Sequence, residues 1–160
     1  MTTLFPTPSQ TVGPFWAIGL PWAAGPDLAT DGLVISGVLY DGAGVPVRDG
    51  LLELWDPSRT AFGACGTSAL GEFAFTAARP ESIAGAAPHW GLGVFARGVL
   101  CRLATRIYLP DEPANDTDPV LRSIADTSVR ASMIALLEGS GLRFDVHLQG
   151  PNETAFLAWD

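Results

Sequence analysis

The side chains in this sequence that could bind a metal are few and far apart. The two histidines, His89 and His147, lie in different parts of the chain, and no His-x-His or Cys-x-x-Cys pair is present. Closely spaced pairs of that kind build many metal sites in proteins. A histidine within a strand-like pattern is more often hydrogen-bonded in a core or an interface. We therefore expect His89 and His147 to have structural roles.

Nucleophilic and acid–base catalysis find equally little support. Neither Cys65 nor Cys101 has a nearby basic residue except Arg102, and no serine lies in a Gly-x-Ser-x-Gly motif. Asp111 and Glu112 could act as paired carboxylates, but an acidic turn after a strand is the commoner meaning of such a pair. The residues alone predict no autonomous active site.

Composition narrows the class of protein. A chain of 160 residues with 48% hydrophobic content is suited to one domain with a core. Its net charge of −8 would repel phosphate, which argues against nucleic acid or an anionic membrane as a partner. No run of about 18 apolar residues occurs, and the N-terminus lacks the pattern of a secretory signal. We expect a cytoplasmic location, in which Cys65 and Cys101 would remain free thiols.

The basic residues of the chain are unusual. All nine are arginines, and the sequence contains no lysine beside its five tryptophans. Lysine is depleted at protein interfaces, whereas tryptophan and arginine are enriched there. The composition therefore predicts apolar surface that is covered by partner chains.

The elements that would position a site are mainly short strands. The first two, residues 33–40 and 51–55, flank a turn of the Asp-Gly type. Asp118 can cap a helix that Pro119 opens, and helical spacing continues as far as residue 137. Further strands are expected at 71–76, 90–96, 99–109, 142–149 and 154–159. These elements predict an all-β fold, an antiparallel β-sandwich with a short helical insertion near 119–137.

The chain divides into an arm and a single domain. Residues 1–32 are rich in Pro, Gly and Ala with little periodicity, which is typical of an arm packed against another surface. Residues 33–160 carry the strand pattern. We expect one domain overall, with the arm extending from it.

Several blocks of the sequence resemble the intradiol ring-cleaving dioxygenases. Residues 7–16 (TPSQTVGPFW) are similar to the N-terminal motif of that family, and residues 36–55 to its β-hairpin framework. Later blocks follow in the family's order, at 73–80, 87–89, 95–112 and 119–121. Each block is short, but their shared order over nearly the whole chain makes the resemblance specific. The similarity is greatest to the family's alpha chains, whose arm packs on a homologous beta chain.

The resemblance also concerns the metal. Catalytic chains of the family hold Fe(III) with two tyrosines and two histidines, and the histidines alternate on one strand so that both face the ion. The corresponding segment here is His89-Trp90-Gly91, in which Gly91 stands at the second ligand position. The two tyrosines, Tyr40 and Tyr108, belong to framework strands. The resemblance therefore implies that the beta chain binds the iron and that this chain contributes no metal ligand and no catalytic residue.

A substrate-binding role is also implied by the resemblance. The N-terminal motif would project into the partner's pocket and bring Thr11, Gly13, Pro14 and Phe15 close to the bound catechol. Arg97 would attract or hold a substrate carboxylate, because a guanidinium can bind a carboxylate with two hydrogen bonds. Without the resemblance, the same residues would be interpreted as a proline-ordered loop and a surface ion pair.

The implied function is that of the non-iron subunit in a hetero-oligomer of αβ units. The complex would cleave protocatechuate with dioxygen to 3-carboxy-cis,cis-muconate in aromatic catabolism, and this chain alone would be inactive. Because the loops after Trp22 and Trp55 are short for the family, another substituted catechol remains an alternative substrate. A non-catalytic β-sandwich for binding or assembly is a second alternative. A transthyretin-like hydrolase shares the hairpin pattern but not the N-terminal motif.

Overall fold

The structure, a computed structural model, describes residues 7–11, 13 and 15–158, and it contains two β-sheets. The helical segments are α1 (Trp16–Gly19), a 3₁₀ turn (Pro113–Thr117), α2 (Pro119–Ser123) and α3 (Thr127–Ala131). The strands are β1 (Leu33–Tyr40), β2 (Leu51–Asp56), β3 (Ala61–Gly66), β4 (Glu72–Ala77), β5 (His89–Phe95), β6 (Leu103–Tyr108), β7 (Leu136–Glu138), β8 (Gly141–Arg143) and β9 (Val146–His147). None of the described helices is long and apolar enough to cross a bilayer.

The two sheets differ in how their strands pair. One has the order β3-β2-β5-β6 and is antiparallel throughout. The other has the order β4-β1-β8-β7, with β9 also paired to β1. Strand β1 pairs with β8 and β9 in parallel, so this sheet is mixed. The architecture is the predicted β-sandwich, with these two parallel pairings as the departure from the prediction.

The core lies between the inner faces of the two sheets. Alternate residues of a strand face the same side, so Leu52 and Leu54 of β2 point inward while Trp55 is partly exposed. Trp90 and Leu92 of β5 pack in the same cluster as Phe75 of the opposite sheet. All of these inward side chains are at most 1% exposed. The outer face of the antiparallel sheet is covered at Tyr108, which packs against Leu121, and stays partly exposed at Trp55 and Phe62.

The turn after β1 forms as its residue types predict, although β1 and β2 lie in different sheets and do not pair with each other. The Asp41 carboxylate accepts hydrogen bonds from the backbone N–H groups of Ala43 and Val45 at 2.9 and 2.8 Å. Gly44 has φ +76°, a conformation that favours glycine. The return segment makes only an isolated bridge, between Tyr40 and Pro46, before β2 begins.

The helical insertion is present but is not continuous. Asp118 caps α2, as predicted, with Pro119 as its first residue. The helix ends at Ser123, and a second cap, Asp126, starts α3, which ends at Ala131. The expected continuation to residue 137 is wrong, because residues 136–138 form β7 instead.

The sequence pattern does not predict strand β3, because its small residues weaken the apolar alternation that is typical of a strand. Gly63 lies directly against the backbone of Gly25 and the side chain of Leu28, so a Cβ there would clash with both. The segment is small because residues 22–29 pack over it. In contrast, the expected strand at 154–159 is wrong over its described residues 154–158, which contact β6 through irregular hydrogen bonds such as Leu157 N–H to Ala104 O.

Other strand bounds also differ. The strand expected at 99–109 begins only at Leu103, because a turn formed by the Val99 N–H and the Ala96 carbonyl precedes it. The strand expected at 142–149 is two short strands, β8 and β9. Both strands pair with β1, and residues 144 and 145 separate one from the other.

Candidate functional site

The N-terminal motif and the Arg97 turn meet on the surface. The backbone N–H of Gly98 donates a hydrogen bond of 2.8 Å to the Thr11 hydroxyl, across 87 positions of sequence. Gly13 is exposed, and Phe15, which precedes α1, is 75% exposed. Pro14 lies outside the described residues. The structure thus brings Thr11 next to Gly98, the residue that follows Arg97, and leaves the Phe15 side chain exposed.

The turn after β5 presents Arg97 at its tip. Strand β5 ends at Phe95, Ala96 is buried, and the Val99 N–H closes the turn on the Ala96 carbonyl at 3.1 Å. Gly98 has φ +89°, which makes glycine the favoured residue at this position. The side chain of Arg97 therefore projects outward from a rigid strand end.

Arg97 is paired within its own chain. Its guanidinium lies 2.5 Å from the carboxylate of Asp49, and the side chain is 62% exposed. Asp49 precedes β2 and is itself mostly covered. A guanidinium has five N–H donors, so one carboxylate partner leaves donors for a second. No sequence motif indicates this role for Asp49, which lies 48 positions away from Arg97.

His89 has the structural environment that its sequence context predicts. It is 5% exposed, and its Nδ1 lies 2.7 Å from the Ala87 carbonyl oxygen. The carbonyl can only accept, so Nδ1 carries the proton. Burial lowers the pKa of His89 below its ordinary value, and the positive charge of Arg106 acts in the same direction. The imidazole is therefore neutral at neutral pH.

The face around His89 does not fit a ferric ion with four protein ligands. Gly91, two residues along the same face, offers no donor atom. Tyr108 lies beside His89 with ring centroids 5.4 Å apart, but its hydroxyl donates to Asp118 at 2.9 Å. Burial raises the pKa of Tyr108 to about 12, and its hydroxyl is already engaged by Asp118 and by the Arg106 guanidinium at 3.1 Å. Among the described residues, no group of three or more His, Cys, Asp or Glu side chains converges as a metal site.

The same face carries a cleft that motif reasoning missed. Across β3, β2, β5 and β6, the strand register aligns Phe62, Trp55, Gly91 and Arg106 in one row. A Cβ added to Gly91 would meet nothing closer than Trp55 at 3.8 Å, so the row has a gap at its third position. The cleft over this gap has a volume of about 650 Å³. The sequence contains the spacing of these residues, but the cleft can be recognised only when the strand register is known.

Asp118 joins the sandwich to the helical insertion. Its buried carboxylate accepts hydrogen bonds from the Tyr108 hydroxyl and from the backbone N–H groups of Ala87, Val120 and Leu121, all at 2.9–3.0 Å. Burial alone would raise the pKa of Asp118, but these hydrogen bonds outweigh it and lower the pKa below its ordinary value. The group is thus an ionised structural anchor.

The sequence is similar to known dioxygenase subunits. It is 34% identical over 195 aligned positions to the protocatechuate 3,4-dioxygenase alpha chain of Burkholderia cepacia, with 98% of each chain covered. Since this chain has 160 residues, at least 35 of those positions are gaps in it, in agreement with its short loops. The beta chain of the same enzyme is 27% identical over 160 positions, covering 76% of this chain and 66% of that one.

A solved structure has the same fold. The dioxygenase domain of a dioxygenase–carbohydrate-binding protein fusion from Streptomyces sp. SirexAA-E matches with a TM-score of 0.63 and 26% identity, covering 91% of this chain and 99% of that one. A scan against models of known protein families finds no match. The predicted fold class and the resemblance to intradiol dioxygenases are both confirmed. The extent and level of identity show that this chain belongs to the family of protocatechuate 3,4-dioxygenase alpha chains.

Proposed function

We propose that this chain is the iron-free alpha subunit of a cytoplasmic αβ protocatechuate 3,4-dioxygenase. The complex would convert protocatechuate and dioxygen to 3-carboxy-cis,cis-muconate, with both oxygen atoms entering the product and two protons released. Fe(III) would be held by the homologous beta chain and would activate the catecholate towards dioxygen there. This chain would supply pocket wall, substrate electrostatics and assembly contacts.

The observation that carries this proposal is the hydrogen bond between the Thr11 hydroxyl and the Gly98 N–H. It joins the two segments that the family resemblance assigns to the partner's pocket, although they are far apart in sequence. Because both segments are exposed here, a neighbouring chain can be seated against them.

Each residue of the region suits a distinct task in the pocket. Arg97 would bind the substrate carboxylate with the guanidinium donors that Asp49 leaves. Gly13 has nothing within 4 Å of a hypothetical Cβ, so its backbone can approach a partner or a substrate without a side chain between them. Phe15 would contribute an aromatic surface, and Pro14 a restricted backbone.

The arm also has the character of an assembly surface. Large apolar side chains of the arm are strongly exposed: Phe15 at 75%, Ile18 at 77%, Leu20 at 58% and Trp22 at 48%. Exposed apolar side chains concentrated on one segment are typical of protein interfaces. This supports packing of the arm on the beta chain, in a higher oligomer of αβ units.

The proposal is tested by reconstitution with a homologous chain that retains His-x-His and both ligand tyrosines. We expect the two chains to copurify with one iron per αβ unit and to consume dioxygen with protocatechuate, whereas this chain alone contains no iron and has no activity. The measurements are metal analysis and oxygen uptake on the separate chains and on the complex. Iron or ring cleavage in the isolated alpha chain would contradict the proposal.

The Thr11 contact gives a finer prediction. Replacement of Thr11 by Val keeps the side-chain shape but removes the acceptor for the Gly98 N–H. Loss of one exposed hydrogen bond, about 1 kcal/mol, should raise KM for protocatechuate about fivefold by loosening the motif. Thr11→Ser retains the hydroxyl and should differ little from the wild type. Equal KM values for the Val and Ser variants would count against a positioning role for this contact.

A purely structural role is the second candidate, because Arg97 already has an ion-pair partner in Asp49. In that case the chain would be an assembly module that touches no substrate. Variants of Arg97 and Asp49 separate the two candidates.

A further inference from the structure

We propose that the cleft over Gly91 is a second, non-catalytic binding site, which takes a single-ring aromatic carboxylate. The inference goes beyond the proposed function and, apart from Trp22 of the arm, concerns residues that have no part in it. It is carried by the shape of the outer sheet face and by the charges that line it.

The floor of the cleft is the bare backbone of Gly91. Its neighbours in the row, Trp55 on β2 and Arg106 on β6, stand two strands apart, which is roughly 10 Å between backbones. The missing side chain leaves room for one flat ring between an indole and a guanidinium. A volume of about 650 Å³ lies within the range of small-molecule sites.

The walls of the cleft are aromatic on one side. Trp55 is 39% exposed and Phe62 is 45% exposed. Phe62 also stacks on Trp22 of the arm, with centroids 6.2 Å apart, so the arm holds this wall in place. Aromatic faces that remain open at the surface favour a ligand that has an aromatic ring of its own.

The opposite wall provides a positive charge. The half-buried Arg106 has no carboxylate within 4.0 Å among the described residues, and its guanidinium donates a hydrogen bond to the neutral Tyr108 hydroxyl at 3.1 Å. The second arginine of the cleft, Arg102, is instead paired with Glu53 at 3.4 Å and lies over Gly93. Arg106 is therefore the guanidinium that is left to bind an anion.

The nearby acidic groups are occupied. Asp118 accepts from the Tyr108 hydroxyl and three backbone N–H groups, and Asp56 is bound by Ser58 and Arg59. His89, which also lines the cleft, is neutral. The charge facing a ligand is thus the positive charge of Arg106, which selects a carboxylate over a neutral ring.

The test counts the ligands bound to the αβ complex by equilibrium dialysis with 4-hydroxybenzoate, an aromatic carboxylate that lacks the second hydroxyl of a catechol. Gly91→Leu fills the cleft from a position that has open space, without disturbing the core. We expect this complex to bind one molecule fewer per αβ unit than the wild-type complex. The difference does not depend on what the partner's own site binds. Equal numbers for the two complexes would overturn the proposal.

Two arginine variants test the ligand class. Arg106→Gln should weaken binding at the cleft at least about tenfold, because it removes a charge-assisted hydrogen bond. Arg102→Gln, the matched control, should change it by less than about threefold. Loss of the site in Gly91→Leu with unchanged affinity in Arg106→Gln would refute a carboxylate ligand. Oxygen uptake by the same complexes tests the proposed function separately, since a complex without ring cleavage can still show the one-molecule difference.

Discussion

Replacement of Arg97 by Ala in the αβ complex is expected to lower kcat/KM for protocatechuate about 30-fold, almost entirely through KM. The estimate corresponds to ~2 kcal/mol for the loss of charge-assisted hydrogen bonds to a carboxylate. The carboxylate is remote from the ring carbons that react, so its binding energy is the same in the ground state and the transition state, and kcat should change little. Steady-state kinetics with oxygen uptake measure both constants.

Two controls separate substrate binding from fold maintenance. Asp49→Ala removes the same ion pair but leaves the guanidinium, so KM should stay unchanged or fall as Arg97 loses its competing partner. Catechol, which has no carboxylate, should be cleaved equally well by the wild-type and Arg97→Ala complexes. If Asp49→Ala raises KM as much as Arg97→Ala, the ion pair is structural and the assembly role is favoured.

Much of the fold could be predicted where local pattern and tertiary packing agree. Strand β1 was predicted with its observed bounds because apolar periodicity and the Asp41 turn act together. Strand β3 was missed because packing against residues 22–29 requires Gly63 and its small neighbours, which weakens the apolar signal. The helix predicted to residue 137 does not form as one element. Asp126 caps a separate helix, α3, and residues 136–138 pair with β8 as strand β7.

In the functional regions, too, single residues could be predicted from the sequence, whereas contacts that depend on tertiary packing could not. The resemblance named Thr11 and Arg97, but their proximity through Gly98 depends on the path of the arm, which spacing does not encode. The row that contains Gly91 depends on three strand registers at once, and a shift of one residue in any of them would move its side chain to the other face. The resemblance thus drew attention to Gly91 as the position at which the family's second histidine is absent, and only the strand register shows the cleft above it.

The largest effect on stability is expected at Asp118. Asp118→Ala should lower the free energy of unfolding by about 3 kcal/mol, because it leaves the Tyr108 hydroxyl and the N–H groups of Ala87, Val120 and Leu121 without their acceptor. Asp126 is a matched control, since it caps α3 with the same geometry but is exposed to solvent. Asp126→Ala should lower the free energy of unfolding by clearly less. Urea titration of the wild type and of both variants measures the two changes.

The pH dependence distinguishes a charged anchor from a neutral one. The pKa of Asp118 is lowered in the folded chain, so the ionised carboxylate contributes stability that is fully present above the ordinary pKa, near pH 4, and is lost as pH falls through the folded value. The stability difference between wild type and Asp118→Ala should therefore be constant from pH 6 to 8 and should narrow below about pH 4. Tyr108 stays protonated over this range, because its pKa is raised to about 12. A difference that is independent of pH down to the acid limit of folding would show that the neutral carboxyl serves equally well, and that hydrogen bonding rather than charge joins the insertion to the sandwich.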